Sequence, residues 1–158
     1  MFGSRRWFEA ANGTDPDSIV DRLVAVLLVA ALVAVALLTL RPRVGGFAPP
    51  RSSISYPFRR VDMRDAVSNV ALFLAVGFFA AVRWRSKPRP VAWATAFAFL
   101  ISAGIELTQR VLPIDRAASI HDVLFNTIGG FFGAVGAMVV IELARRSGLY
   151  VFGDRVEV

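Results

Sequence analysis

The chain has 158 residues, 56% of them hydrophobic, and a mean hydropathy of +0.57. That composition is too apolar for an ordinary soluble domain of this length. The formal charge of +6 argues for headgroup contact rather than nucleic acid, because the arginines stand in the gaps between apolar blocks. With no cysteine and one histidine, disulfides, thiol chemistry and a multi-histidine metal site are excluded, and no cofactor motif is present.

In chain order, residues 1–22 form a polar segment in which Trp7 and Phe8 stand beside Arg5 and Arg6, an interfacial composition. Asp15 followed by Pro16 reads as an N-cap with proline in the first turn, so a helix is expected to start there. It feeds the first apolar block, Leu23 to Leu40. Ala34-Val35-Ala36 has the small-x-small form of a signal-peptide cleavage site, but the block is longer than a usual signal core, which favours an uncleaved span.

Arg41 to Arg64 is a connector in which Pro42, Pro49, Pro50 and Pro57 exclude a long helix, and Tyr56 and Phe58 lie near its end. Asp65 opens the second span, which stops at Arg83. Arg83, Arg85, Lys87 and Arg89 then make a short linker without an acid, the densest positive run in the protein. The third span runs from Val91 towards Leu112, breaks at Pro113, and the fourth runs from Asp122 to about Ala144.

The expected fold is therefore all-α: a polytopic membrane protein of four transmembrane helices in a small bundle, with a long extracytoplasmic loop between helices 1 and 2. The expected domains are an N-terminal cytoplasmic or interfacial segment, 1–22, a transmembrane domain, 23–144, and a short C-terminal tail, 145–158. The positive-inside rule gives a slight margin for both termini in the cytoplasm, and the short acid-free linker tips the choice.

Polar residues inside these blocks are the candidates for function. Glu106 and Gln109 are three apart on one helix face, and Glu106 falls roughly 9 Å before the expected helix end. An ionisable residue at that depth normally has a partner or a task. Asp65 with Asn69, and Asp122 with Asn126, repeat the pattern D-x-x-x-N at the start of an apolar, glycine-containing helix. Both aspartates also suit plain helix capping, and both asparagines suit interhelical bonding.

Asn69, Glu106 and Asn126 are expected at a similar depth, which favours one cluster, with Arg116 at its mouth as an anion contact or as an ion-pair partner of Asp122. His121 beside Asp122 carries low weight, because adjacent helical residues do not face each other. Gly129, Gly133 and Gly136 form a small-residue face suited first to packing inside the bundle and second to a homo-oligomer.

These residues carry a resemblance. E-L-x-Q from Glu106 to Gln109, R-x-x-S-I-x-D-V-L-x-N-T-I-G from Arg116 to Gly129, the following Gly133, and D-x-x-x-N-x-x-L-F-x-x-x-G from Asp65 to Gly77 resemble the VanZ-like family of small membrane proteins. Such proteins often have proline before the glycine of the second span, where this chain has Ala75-Val76-Gly77. The resemblance implies a four-helix membrane protein, related to one that lowers susceptibility to the glycopeptide antibiotic teicoplanin.

Three functional readings stand at this point. In the first, Asp65, Asn69, Glu106, Gln109, Arg116, Asp122 and Asn126 form an outward-facing site for a lipid-linked wall precursor or lipid headgroup. In the second, Glu106 and Asp122 are an acid-base pair for chemistry on an envelope lipid. In the third, the same residues are interhelical glue in an accessory protein.

Overall fold

The computed structural model describes residues 16–40, 63–111 and 119–147. They form four helices: α1 (Pro16–Thr39), α2 (Met63–Arg83), α3 (Pro90–Val111) and α4 (Ile120–Arg146). Each is long and apolar enough to cross a membrane, and there is no strand among the described residues. The chain is thus a multi-pass helical membrane protein, as its apolar blocks require. The Trp7/Phe8 segment, Asp15, the 41–62 connector, Pro113, Arg116 and the tail beyond residue 147 lie outside the described residues.

α1 begins at Pro16, where a fixed backbone φ and a missing N–H cost a helix nothing. Leu23, Val26, Val29, Val33 and Leu37 remain exposed along it, which water would penalise and hydrocarbon does not. Val24 and Val35 face inward, and Val35 joins Phe73, Val76 and Ala98 in one apolar cluster.

α2 and α4 make the most extensive helix pair. Gly129 lies on the Val70 carbonyl and Gly133 on the Leu74 carbonyl. Each step moves four residues along both helices, so the two run parallel. A Cβ at Gly77 would overlap the Gly130 carbonyl, and one at Gly130 would overlap the Ala98 methyl of α3. Glycine is required here because backbone meets backbone.

This settles the small-residue face differently from a dimer seam. Gly129 and Gly133 are buried against α2, so an oligomer cannot use them without opening the bundle, whereas Gly136 has open space around it.

α3 buries one stripe, Ala94, Ala98, Ser102, Glu106 and Gln109, which is small and apolar at its start and polar towards its end. It runs antiparallel to α4, since Ala98 meets Gly130 and Ser102 meets Asn126. α2 passes into α3 through a short turn held by Trp84 N–H to Ala80 O (3.0 Å) and Lys87 N–H to Trp84 O (2.9 Å). From that turn the Arg85 guanidinium reaches Asp21 of α1 at 2.6 Å. The acid-free linker therefore borrows its acid from another helix.

Candidate functional site

Alternating helix directions place the ends of α1 and α3 beside the starts of α2 and α4. Among the described residues, the buried polar side chains are Thr39, Asn69, Ser102, Glu106, Gln109 and Asn126, and all belong to this end. The expected cluster of Asn69, Glu106, Gln109 and Asn126 is thus gathered at one end of the bundle, with Asp65 and Asp122 half-buried in the first turns of α2 and α4.

The ladder is graded in depth rather than level. The outermost of these contacts along α3 is made by Gln109, whose Nε2 donates to the Thr39 carbonyl of α1 at 2.9 Å. Next, the Glu106 carboxylate accepts the Ser119 backbone N–H at 2.6 Å. One helical turn deeper, about 6 Å, Asn126 Nδ2 donates to Ser102 Oγ at 2.7 Å.

The two outer contacts follow from helix ends. The last carbonyls of α1 and the first N–H groups of α4 lack partners within their own helices. Gln109 supplies a donor to a carbonyl at the end of α1. Glu106 supplies an anionic acceptor at the start of α4, where the dipole is positive. Ser119 is the N-cap of α4 but its hydroxyl makes no capping bond. Its own N–H is taken by a carboxylate from α3, the role that a glutamate one turn into the same helix plays in a capping box. Glu106 and Gln109 therefore tie three helices together from one face of α3.

That capping leaves part of the cluster unexplained. Asn69 Nδ2, Gln109 Oε1 and Asn126 Oδ1 are buried, and among the described residues none has a hydrogen-bond partner. An unmatched buried polar atom costs about 1–3 kcal/mol. Gln109 cannot be turned to remove its mismatch, since the Thr39 carbonyl only accepts and so fixes the amide. Asn126 can be turned, because a serine hydroxyl both donates and accepts, but turning it leaves the other amide atom unmatched.

Ser102 and Thr39 were not among the residues singled out from the sequence. Ser102 is four residues before Glu106 and so shares its face, which was a usable signal. Thr39 contributes a main-chain carbonyl, which residue type does not reveal; its hydroxyl bonds back to Val35 O at 2.6 Å. His121 is half-buried beside Asp122. The described residues contain no group of acids or histidine able to hold a metal ion.

The family model for VanZ/LLP1 matches residues 25–141, which takes in part or all of each of the four helices and most of the chain. The chain belongs to the VanZ/LLP1 family. No curated protein and no solved structure matches it. Within this VanZ/LLP1 bundle, E-L-x-Q is the pair of interhelical caps. The D-x-x-x-N patterns place a buried asparagine at the start of each member of the parallel pair α2 and α4.

Proposed function

We propose that the polar end of this VanZ/LLP1 bundle faces out of the cell and binds the polar part of a lipid-linked wall precursor or envelope lipid. The contacts are Asp65, Asn69, Glu106, Gln109, Arg116, Asp122 and Asn126. The observation that carries this reading is the set of unmatched buried amide atoms on Asn69, Gln109 and Asn126. Interhelical glue needs one bond from each amide, which Gln109 and Asn126 make and Asn69 Nδ2 does not. A ligand that bonds these three atoms explains why three such costs are tolerated at one end.

Gln109 narrows the ligand. Its free atom is an acceptor, so the ligand must bring an N–H or O–H donor, which a fully ionised phosphate lacks. A glycan hydroxyl or a peptide or acetamido N–H meets that need, and Arg116 suits the attached phosphate. In this reading the protein lies in the bacterial cytoplasmic membrane with both termini inside. Residues 23–144 are the membrane domain, between segments 1–22 and 145–158.

Occupying a wall precursor would connect the site to glycopeptide susceptibility, the trait associated with a VanZ-like relative. The test is expression in a sensitive Gram-positive host, with wild type beside Glu106→Gln and Asp122→Asn at equal amounts of inserted protein. Lower teicoplanin susceptibility with wild type, reduced or abolished by the variants, is expected. Equal susceptibility across all three sinks the link between this site and resistance.

A second reading has its own support. The bonds from Glu106 to Ser119, Gln109 to Thr39 and Asn126 to Ser102 all run between helices, which suits a non-catalytic accessory protein held together by polar glue. It predicts that Asn69→Leu lowers the amount of folded protein while leaving ligand-dependent traits in proportion to that amount. Acid-base catalysis by Glu106 and Asp122 is separated from both by comparing envelope lipids and wall precursors in cells with and without the protein. A new or missing covalent species identifies an enzyme, and unchanged composition identifies a binder.

A further inference from the structure

At the opposite end of the bundle, an apolar groove of about 870 Å³ opens between α3 and α4. The groove is broad and open, and its relief comes from size contrast. Ala92 and Ala96, one turn apart on α3, leave a channel between larger walls that include Phe99, Phe131 and Met138. Thr95 is the polar side chain inside it, and its hydroxyl is bonded to the Val91 carbonyl at 2.8 Å, so the groove offers hydrocarbon along its length.

Arg89 stands at the mouth. It has a left-handed backbone with φ of 59°, a conformation that non-glycine residues rarely adopt. Arg83, Lys87 and Arg89 are exposed, and among the described residues no acid pairs with them, whereas Arg85 is engaged by Asp21. Trp84 and Trp93 lie beside Lys87 around a smaller pocket, the aromatic company expected at headgroup level.

From Arg89 to Phe99 the groove runs about 15 Å along the helix, which is one leaflet of a hydrocarbon core about 30 Å thick. We infer that this groove is a binding site for one anionic phospholipid of the surrounding bilayer, with an acyl chain along Ala92 and Ala96 and the phosphate against Arg89. The match is in three independent respects: a dry channel, a leaflet-length span, and unopposed positive charge at its mouth. The site is separate from the polar cluster and does not rest on the function proposed for it.

The test is native mass spectrometry of the full-length protein in detergent, titrated with phosphatidylglycerol and with phosphatidylcholine of the same chains. Wild type is expected to retain one phosphatidylglycerol in preference to phosphatidylcholine. Arg89→Ala is expected to cut that preference about fivefold, the weight of one basic residue against an anionic lipid. Ala96→Phe, which fills the channel, is expected to lose the bound lipid of either headgroup, and Ala92→Leu carries the same test if the first variant does not fold.

Arg146→Ala removes a charge from the same end about two turns beyond Met138 and is expected to keep the preference. The inference is overturned if wild type holds both lipids equally. It is also overturned if the filled variants retain the lipid, or if Arg146→Ala weakens the preference as much as Arg89→Ala does, which would identify a diffuse surface charge.

Discussion

The Glu106 carboxylate on α3 and the Ser119 backbone N–H, 2.6 Å apart, join the end of one membrane helix to the start of the next. Because the acceptor is a side chain thirteen residues earlier in sequence, the cap of α4 depends on α3 being in place. Glu106→Leu deprives that N–H of this acceptor and is expected to destabilise the bundle by about 1–3 kcal/mol. Glu106→Gln keeps an acceptor oxygen but loses the charge at the helix start, for an expected loss of about 0.3–1 kcal/mol. Reversible unfolding in mild detergent followed by circular dichroism ranks the two. Equal losses would mean that the charge alone matters.

The α2 and α4 contact makes a sharper steric prediction. A Cβ at Gly133 meets the Leu74 carbonyl and the Phe78 backbone N, neither of which is a flexible side-chain end. Gly133→Ala must push the two helices apart, and a loss of about 1–3 kcal/mol is expected. Gly136 has nothing near its missing Cβ, so Gly136→Ala is expected to be neutral or to stabilise by up to about 1 kcal/mol through helix propensity. If the two substitutions behave alike, the close approach of α4 to α2 is not what holds this pair.

Asn126 and Ser102 are expected to be coupled, but weakly. Their 2.7 Å bond joins α3 to α4 within the apolar interior, yet such bonds in membrane proteins average about 0.6 kcal/mol, because the unfolded helices find other partners. A double-mutant cycle of Ser102→Ala and Asn126→Leu measures the coupling apart from the volume changes. A coupling energy near 0.6 kcal/mol fits an ordinary interhelical bond. A value near zero would move the importance of Asn126 to its other, unmatched atom.

These contacts mark where the sequence was legible and where it was not. The four spans could be read because apolar runs of this length have one common use, and α2 ends at Arg83 as its charge requires. Glu106, Gln109, Asn69 and Asn126 stood out as polar residues in apolar helices, and all four are buried. Their division of labour did not show, because a cap between helices is set by how α1, α3 and α4 meet, not by local spacing. The glycines were visible as a packing face, but sequence alone could not say that α2 covers Gly129 and Gly133 while Gly136 stays open. The Asp21 to Arg85 pair was invisible for the same reason: its partners are 64 residues apart.

Gln109 offers the test that reaches from fold to function. Its Nε2 donates to the Thr39 carbonyl, at the negative end of the α1 dipole. Gln109→Glu replaces that donor with an acceptor of the wrong charge. Gln109→Leu removes the donor without adding a repulsion. The first is therefore expected to destabilise more than the second, by about 1 kcal/mol or more. Gln109→Leu also removes Oε1, the atom that lacks a partner among the described residues. If that atom serves only as an incidental cost, Gln109→Leu should lie close to wild type in stability, and its phenotype in cells should follow the amount of protein. If Oε1 accepts from a ligand, Gln109→Leu is expected to lose the effect on teicoplanin susceptibility while keeping most of its folded protein. Measuring thermal stability and susceptibility on the same two variants separates a bundle clamp from a binding residue.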